Sequence, residues 1–270
     1  MPKPLYISDL DGTLLNEHAK LSSYSAQVLR EFTRGGGLFS VATARTWESI
    51  QYNKLLDPAL LSTPAVLMNG ALIYDAQQEC YVKREFIAPA VAREMLACMA
   101  AHGITGLLYE STNSMRVYHG AFAAQSMIAR HFDYRKNMFE MVQTDNPPVE
   151  NIVYMSTLDT HEALLPLYED LRHLLELNCL LYPCSYVEDN WYLECFAQRA
   201  SKYDAVCWLR EHYGFDKIVG FGDNLNDLPL FRACDEGYAV ANAREELKAA
   251  ATGVIGANCD DGVAKFLAQL

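Results

Sequence analysis

Apolar and polar positions along the chain fall into two textures. In the first, short apolar runs that end in polar loops alternate with windows whose apolar residues recur at helical spacing. Leu5 to Ser8 reads as a buried strand that breaks into a loop at Asp9, Leu10, Asp11, Gly12 and Thr13. Ser22 to Arg34 reads as a helix: Ser22 and Ser23 offer caps, Val28, Leu29 and Phe32 form an apolar face, and Gly35 to Gly37 end it. A second strand, Leu38 to Ala42, terminates in Thr43, Ala44 and Arg45, and Thr46 caps a helix predicted to reach about Leu56. Val66 to Gly70 is a third buried run, and this order with short connections predicts right-handed parallel crossovers.

The second texture begins at Ala71. Ile73 with Tyr74, and Tyr81 to Lys83, flank a turn at Asp75 to Glu79 and predict an antiparallel hairpin. Helical windows over Ala88 to His102, Ala121 to Phe132 and His161 to Glu176 are interleaved with short strand-like runs. Those runs are Ile104 to Glu110, Met115 to Tyr118, Ile152 to Thr157, Cys179 to Pro183 and Trp191 to Phe196, with a polar loop at Thr144 to Pro148. The first texture then returns: helix Ser201 to Tyr213, strand Lys217 to Phe221, loop Gly222 to Asp227 and helix Leu228 to Ala233. Strand Gly237 to Val240, helix Glu245 to Ala251, strand Val254 to Ile255 and a helix from Asp261 to Leu270 complete it. The predicted fold class is α/β, a Rossmann-like parallel-sheet core formed by residues 1–83 and 198–270, with an α+β module at 84–197 inserted into it.

Composition narrows the function classes. The chain has 270 residues, 51% of them hydrophobic and 21% charged, the make-up of a globular protein. No window approaches the roughly 18 apolar residues that would span a bilayer. The opening Met-Pro-Lys-Pro enters a strand at once, so no signal peptide is expected. A formal charge of -12 argues against nucleic-acid or anionic-membrane partners, because no basic patch is there to release phosphate counterions. The eight cysteines show no C-x-x-C pair and mostly lie in apolar periodic segments, which predicts reduced thiols in a cytoplasmic protein.

The candidate chemistry lies at strand ends. Asp and Gly are ordinary turn residues, so Asp9, Asp11 and Gly12 alone do not decide between a turn and a site. An EF-hand is excluded, since Leu14 and Leu15 follow where oxygen ligands should continue. Asp223 and Asp227, however, occupy the loop after another buried strand, which in a parallel sheet is the same rim as Asp9 and Asp11. Four carboxylates converging there would repel unless a cation joined them. Hard oxygen ligands suit Mg²⁺, and no His or Cys lies nearby in sequence to favour zinc. Thr43 and Arg45 close the second strand, and Lys202 opens the helix after the module.

Asp9-Leu10-Asp11-Gly12-Thr13, Thr43, Lys202 and Gly222-Asp223-x-x-Asn226-Asp227 resemble, in order and spacing, the four motifs of the haloacid dehalogenase (HAD) superfamily. The Cof-type phosphatase branch, with a type II cap between its second and third motifs, is the nearest pattern. Asn69-Gly70 before the module, and Ala241-Asn242-Ala243 followed by Lys248, are similar to that branch as well. The resemblance implies a HAD-like core, the module as its cap, and a Mg²⁺-dependent phosphomonoester hydrolase acting on small phosphorylated metabolites, sugar phosphates above all. Asp9 would be the nucleophile that forms an aspartyl-phosphate, and Asp11 the group that protonates the leaving alcohol and then activates water. The second aspartate separates phosphatases and phosphomutases from the transporting ATPases of the superfamily, which carry Thr there.

Metal ligands implied by the resemblance are Asp9, the Asp11 carbonyl, Asp223 and Asp227. Phosphate contacts would come from Thr43, the Ala44 and Leu10 amides, Lys202 and Asn226, with Arg45 and Asn69 as candidate substrate contacts. Two positions depart from the family pattern: Ala44 and Tyr203 replace the usual glycines, and the added bulk predicts a narrowed pocket. The cap candidates for reading the leaving group are Glu110, Arg116, Tyr118, Glu188, Asn190 and Trp191. A phosphomutase using the same intermediate is the alternative. A non-turnover phospho-aspartyl regulatory protein fits less well, given Asp11, the Thr43-x-Arg45 pair and an inserted module.

Overall fold

The computed structural model describes residues 4–112, 114–184 and 189–270. Two compact units emerge, Met1–Lys83 with Ser201–Leu270, and Arg84–Ala200. The chain enters the first through β1 (Leu5–Ser8), α1 (Ser23–Arg34), β2 (Leu38–Val41), α2 (Trp47–Tyr52), β3 (Ala65–Leu67), β4 (Leu72–Asp75) and β5 (Cys80–Arg84). The second unit holds α3 (Pro89–Ala101), β6 (Leu107–Ser111), β7 (Met115–His119), α4 (Met127–Arg135), β8 (Glu140–Gln143), β9 (Ile152–Thr160), α5 (His161–Leu171), β10 (Leu177–Pro183) and β11 (Asn190–Ala197). The first unit is completed by α6 (Lys202–Tyr213), β12 (Ile218–Gly222), α7 (Leu228–Ala233), β13 (Glu236–Val240), α8 (Glu245–Ala250), β14 (Gly253–Ile255) and α9 (Gly262–Leu267).

The central sheet of the first unit runs β14-β13-β12-β1-β2, and every pair in it is parallel. A parallel bridge between Ala42 and Val66 ties β3 to its far side. β1 is buried at all four positions, as the unbroken apolar run predicts for a strand covered on both faces. Its register with β12 sets Leu5 beside Ile218 and Ser8 beside Phe221, so the two strands end together and their loops share one rim. Tyr6 packs edge-on against Phe32 of α1 at 5.4 Å between ring centres, and Phe221 against Phe266 of α9 at 5.3 Å.

The second unit is a six-stranded sheet, β10-β11-β9-β6-β7-β8, antiparallel except for the parallel pairing of β7 with β8. Its main core is built from Met95 and Met99 of α3, Leu164, Leu167 and Leu171 of α5, and the strand residues Leu108, Met155, Leu193 and Cys195.

Several element boundaries differ from the periodicity. α2 stops at Tyr52 because the Asn53 side chain bonds back to the Ser49 carbonyl (2.8 Å) and Lys54 takes φ +51°. Leu55 and Leu56 are therefore buried by a turn rather than by a helix face. α4 begins at Met127 rather than Ala121: the Ser126 hydroxyl closes a turn onto the Ala123 carbonyl at 2.6 Å, and Phe122 is taken up by His119 and Phe132. α5 ends at Leu171, since Leu177 and Asn178 are claimed by pairing with Ala197 and Phe196. β8, whose exposed Glu140 and Gln143 flank half-buried Met141 and Val142, has no strong apolar signal and is held by β7.

Candidate active site

Asp9 follows β1 directly. Its amide donates to the Phe221 carbonyl at 2.9 Å, so strand spacing persists until the carboxylate reaches the rim. Gly12 then turns the chain at φ +75°. A Cβ at that position would stand 2.5 Å from Asp223 Oδ2, so the glycine is what lets the carboxylate close on the loop. The Thr13 hydroxyl donates to Asp223 Oδ1 at 3.0 Å, tying the first loop to the one after β12.

That second loop is organised by Asp227. Its Oδ2 accepts the amides of Asp223 (3.0 Å) and Asn224 (3.1 Å), while its Oδ1 accepts Lys202 Nζ at 2.6 Å. Lys202 is the first residue of α6, whose Ser201 cap accepts the Asp204 amide at 3.0 Å. Gly70, at φ +102°, lies against the Ser201 backbone where no side chain would fit, which seats the start of α6. From there Lys202 Nζ also donates to Asp9 Oδ1 at 2.7 Å. One oxygen each of Asp9, Asp223 and Asp227 lies within 4.8 Å of the others.

Burial governs the charges. It pushes Asp9 well above the usual carboxylate range; Lys202 pulls the other way, and Asp227 and Asp223 add to the rise. Asp223 is pushed up to about 6 by burial and then by Asp227. Burial alone would lower Lys202, but the carboxylates of Asp227 and Asp9 outweigh it and hold the ammonium above its ordinary range. Three acids therefore share one buried cation, and the cluster is short of positive charge. An all-oxygen donor set with that deficit fits a hard divalent ion.

Asp11 stands apart from the three. Its carboxylate is gripped by the Arg45 fork, Nε to Oδ2 at 2.6 Å and Nη2 to Oδ1 at 2.7 Å. Thr43, buried at the end of β2, accepts the Arg45 amide on its hydroxyl at 3.2 Å and the Asn69 amide on its carbonyl at 3.0 Å.

A family model described as haloacid dehalogenase-like hydrolase matches residues 6–267. The chain belongs to that family. Among its relatives is the pyridoxal phosphate phosphatase YbhA of Escherichia coli, 25% identical over 272 residues that cover 96% of this chain and 95% of that protein. A solved haloacid dehalogenase-like hydrolase from Bacteroides thetaiotaomicron shares the fold with a TM-score of 0.82 at 20% identity, covering 99% of both chains. A structure described as a HAD subclass IIB sugar phosphatase shares it with a TM-score of 0.72 at 19% identity, over 99% of this chain and 98% of that one.

In this HAD-like hydrolase the other sequence-predicted residues are placed as follows. Ala44 and Asn226 are exposed at the rim, and Leu10 is buried. Asn69 is buried with φ +55°. Tyr203 is 42% exposed; its interactions are with Cys207, Asp204 and Arg232, none of them a group of the cluster. Adjacent helix positions diverge by about 100°, so Tyr203 does not share the direction in which Lys202 points at the carboxylates. Lys248 pairs with Glu245 at 2.9 Å.

Within the inserted unit, Glu110 accepts the Tyr118 hydroxyl at 3.0 Å, Arg116 pairs with Glu140 at 2.8 Å, Trp191 packs on His161, and Asn190 is buried. Glu188 lies outside the described residues. Two supporting contacts were not legible beforehand, although Arg45 and Asn242 were both named from the resemblance. The Arg45 fork on Asp11 joins residues 34 positions apart, and sequence order carries no sign of it. Asn242 donates to the Gly12 carbonyl at 2.8 Å and accepts the Asn258 amide at 2.9 Å; its place just past the end of β13 was the available signal.

Proposed function

We propose that this hydrolase cleaves phosphate monoesters of small metabolites, with sugar phosphates as the first class to test, through an aspartyl-phosphate on Asp9. The observation that carries the reading is the buried ammonium of Lys202 bonded to both Asp9 and Asp227 with Asp223 beside them. Lys202 anchors Oδ1 of Asp9, which restricts rotation of the carboxylate before attack. The attacking Asp9 oxygen bonds to phosphorus as the bond from phosphorus to the leaving oxygen breaks, and protonated Asp11 delivers its proton to the leaving oxygen, which departs as the alcohol. Asp11 then takes a proton from water, whose oxygen attacks phosphorus and releases phosphate from Asp9. Both Asp11 oxygens accept from Arg45, so one of the two bonds opens whenever Asp11 carries a proton, and Arg45 is assigned as the positioning partner of the proton carrier in place of a substrate contact.

Thr43, Lys202, Asn226 and the amides of Leu10 and Ala44 would receive the phosphate oxygens. Mg²⁺ held by Asp9, Asp223 and the Asp11 carbonyl, with Asp227 directly or through water, would supply the positive charge that the cluster lacks. A charge of -12 turns nucleic acid and anionic membrane away, and eight free thiols suit a reducing compartment such as the cytoplasm.

The test is a panel of phosphorylated metabolites plus p-nitrophenyl phosphate, assayed for phosphate release with Mg²⁺, with excess EDTA, and with Asp9→Asn. Release is expected only from the wild type with Mg²⁺. Full activity in EDTA or in the variant overturns the mechanism, and an isomerised sugar phosphate as product would make the protein a phosphomutase.

A further inference from the structure

We propose that Cys179 and Cys195 are a redox-sensitive pair that closes into a cross-strand disulfide when the protein meets a low-molecular-weight disulfide. Cys179 of β10 stands directly opposite Cys195 of β11, and their Sγ atoms lie 3.4 Å apart. Opposite residues of an antiparallel pair share a face with Cβ atoms about 4.5–5.5 Å apart, close to the roughly 3.5–4.5 Å that a disulfide spans. Side-chain alternation puts Leu177, Cys179 and Leu181 opposite Ala197, Cys195 and Leu193. Both cysteines belong with the core that Leu164, Leu167 and Leu171 of α5 contribute to, so packing holds one sulfur against the other. Among the described residues β10 is an edge strand of its sheet, so the roughly 1.4 Å by which the sulfurs must close, from 3.4 Å to a bond of about 2.05 Å, can be shared between side-chain rotation and a small shift of the strand.

The two thiols differ in access, which sets the order of events. Cys179 is half-buried, whereas Cys195 is fully buried and its thiol is pushed well above the ordinary range by burial and then by Cys179. Cys179 loses its proton and attacks one sulfur of the oxidant RS–SR; a mixed disulfide forms and RS⁻ leaves, taking up the proton. The Cys195 sulfur then attacks Cys179 Sγ, the second RS⁻ leaves, and the Cys195 proton completes it as RSH. Two protein thiols are oxidised by two electrons and one RS–SR is reduced to two RSH. Cys80 and Cys259, both exposed, would stop at the mixed disulfide.

The experiment exposes the purified full chain to oxidised glutathione without denaturant, alkylates the remaining thiols, digests without reduction and maps the peptides by mass spectrometry. The expected product is a Cys179–Cys195 cross-linked peptide, lighter by two hydrogens than the reduced pair and lost on treatment with dithiothreitol. A second arm uses Cys195→Ala, in which Cys179 should accumulate as a stable glutathione adduct. Recovery of Cys179 in the wild type as a stable adduct, as a free thiol, or bonded to Cys184 overturns the proposal. The wild-type map decides the matter if the variant does not fold.

Discussion

Two buried polar clusters in this protein, one with a single carboxylate and one with three, are treated differently by their surroundings. In the inserted unit Glu194 is raised by burial but accepts the Tyr154 hydroxyl at 2.7 Å and a second bond from Tyr182, with Arg135 near enough to draw it down. Arg135 in turn donates to His131 Nε2 at 3.0 Å and lies over the Tyr109 ring, while burial and then Arg135 hold His131 neutral. One anion and one cation sit there among neutral donors, and the account balances. In the other unit three carboxylates share Lys202, and nothing further among the described residues supplies the missing charge. A buried polar cluster with matched charges holds a fold together; one with a deficit is built for something that arrives.

The contrast can be broken most sharply at Asp9. Asp9→Asn keeps the side chain's size but removes the proposed nucleophile, and phosphate release should fall by about 10³-fold or more. A variant that keeps a tenth of the activity would remove Asp9 from the mechanism. Lys202→Met comes next, with kcat/KM expected to drop about 10²-fold and thermal stability to fall, since breaking a buried pair typically costs about 3–5 kcal/mol. Added Mg²⁺ should recover part of the lost Tm, because it supplies the charge that Lys202 gave.

Arg45→Ala should lower kcat about tenfold with little change in KM, and Arg45→Lys should restore only part of it, because the fork on Asp11 is bidentate. A rise in KM with kcat unchanged would instead make Arg45 a substrate contact. In the metal-free protein Asp223 titrates at about 6, above the range of an unfolded aspartate. The folded state therefore binds the proton more readily, so this group favours folding at low pH and that contribution is lost as pH rises through about 6. Mg²⁺ competes with the same proton, and the concentration giving half-maximal phosphate release should be higher at pH 5 than at pH 7. Glu194→Gln should have the smallest effect: activity within about twofold, and a stability loss of about 1–2 kcal/mol read by thermal melting.

Much of the first unit was legible because its strands are continuous apolar runs and its helices carry caps: Ser22 and Thr46 each accept an amide as expected. Asp9, Asp11, Asp223 and Asp227 could be placed on one rim because parallel strands share a direction, without knowledge of any contact, whereas Lys202, at the start of a helix, came from the family resemblance. What could not be read depends on side chains meeting across long sequence separations. The Arg45 fork, the Thr13 bond to Asp223 and the Asn242 brace leave no periodic trace. In the inserted unit, short strands and edge pairing override local preference, which is why β8 was missed and α4 was placed too early.

If the charge deficit beside Lys202 is a divalent-cation site and the balanced cluster at Glu194 is not, only the first should bind a metal ion. Titration with Mn²⁺ followed by electron paramagnetic resonance, on the wild type, Asp223→Asn and Glu194→Gln, tests it directly. One ion per chain, displaced by Mg²⁺, is expected in the wild type and in Glu194→Gln, and its loss in Asp223→Asn. No bound ion in the wild type, or a site that survives Asp223→Asn unchanged, would contradict it.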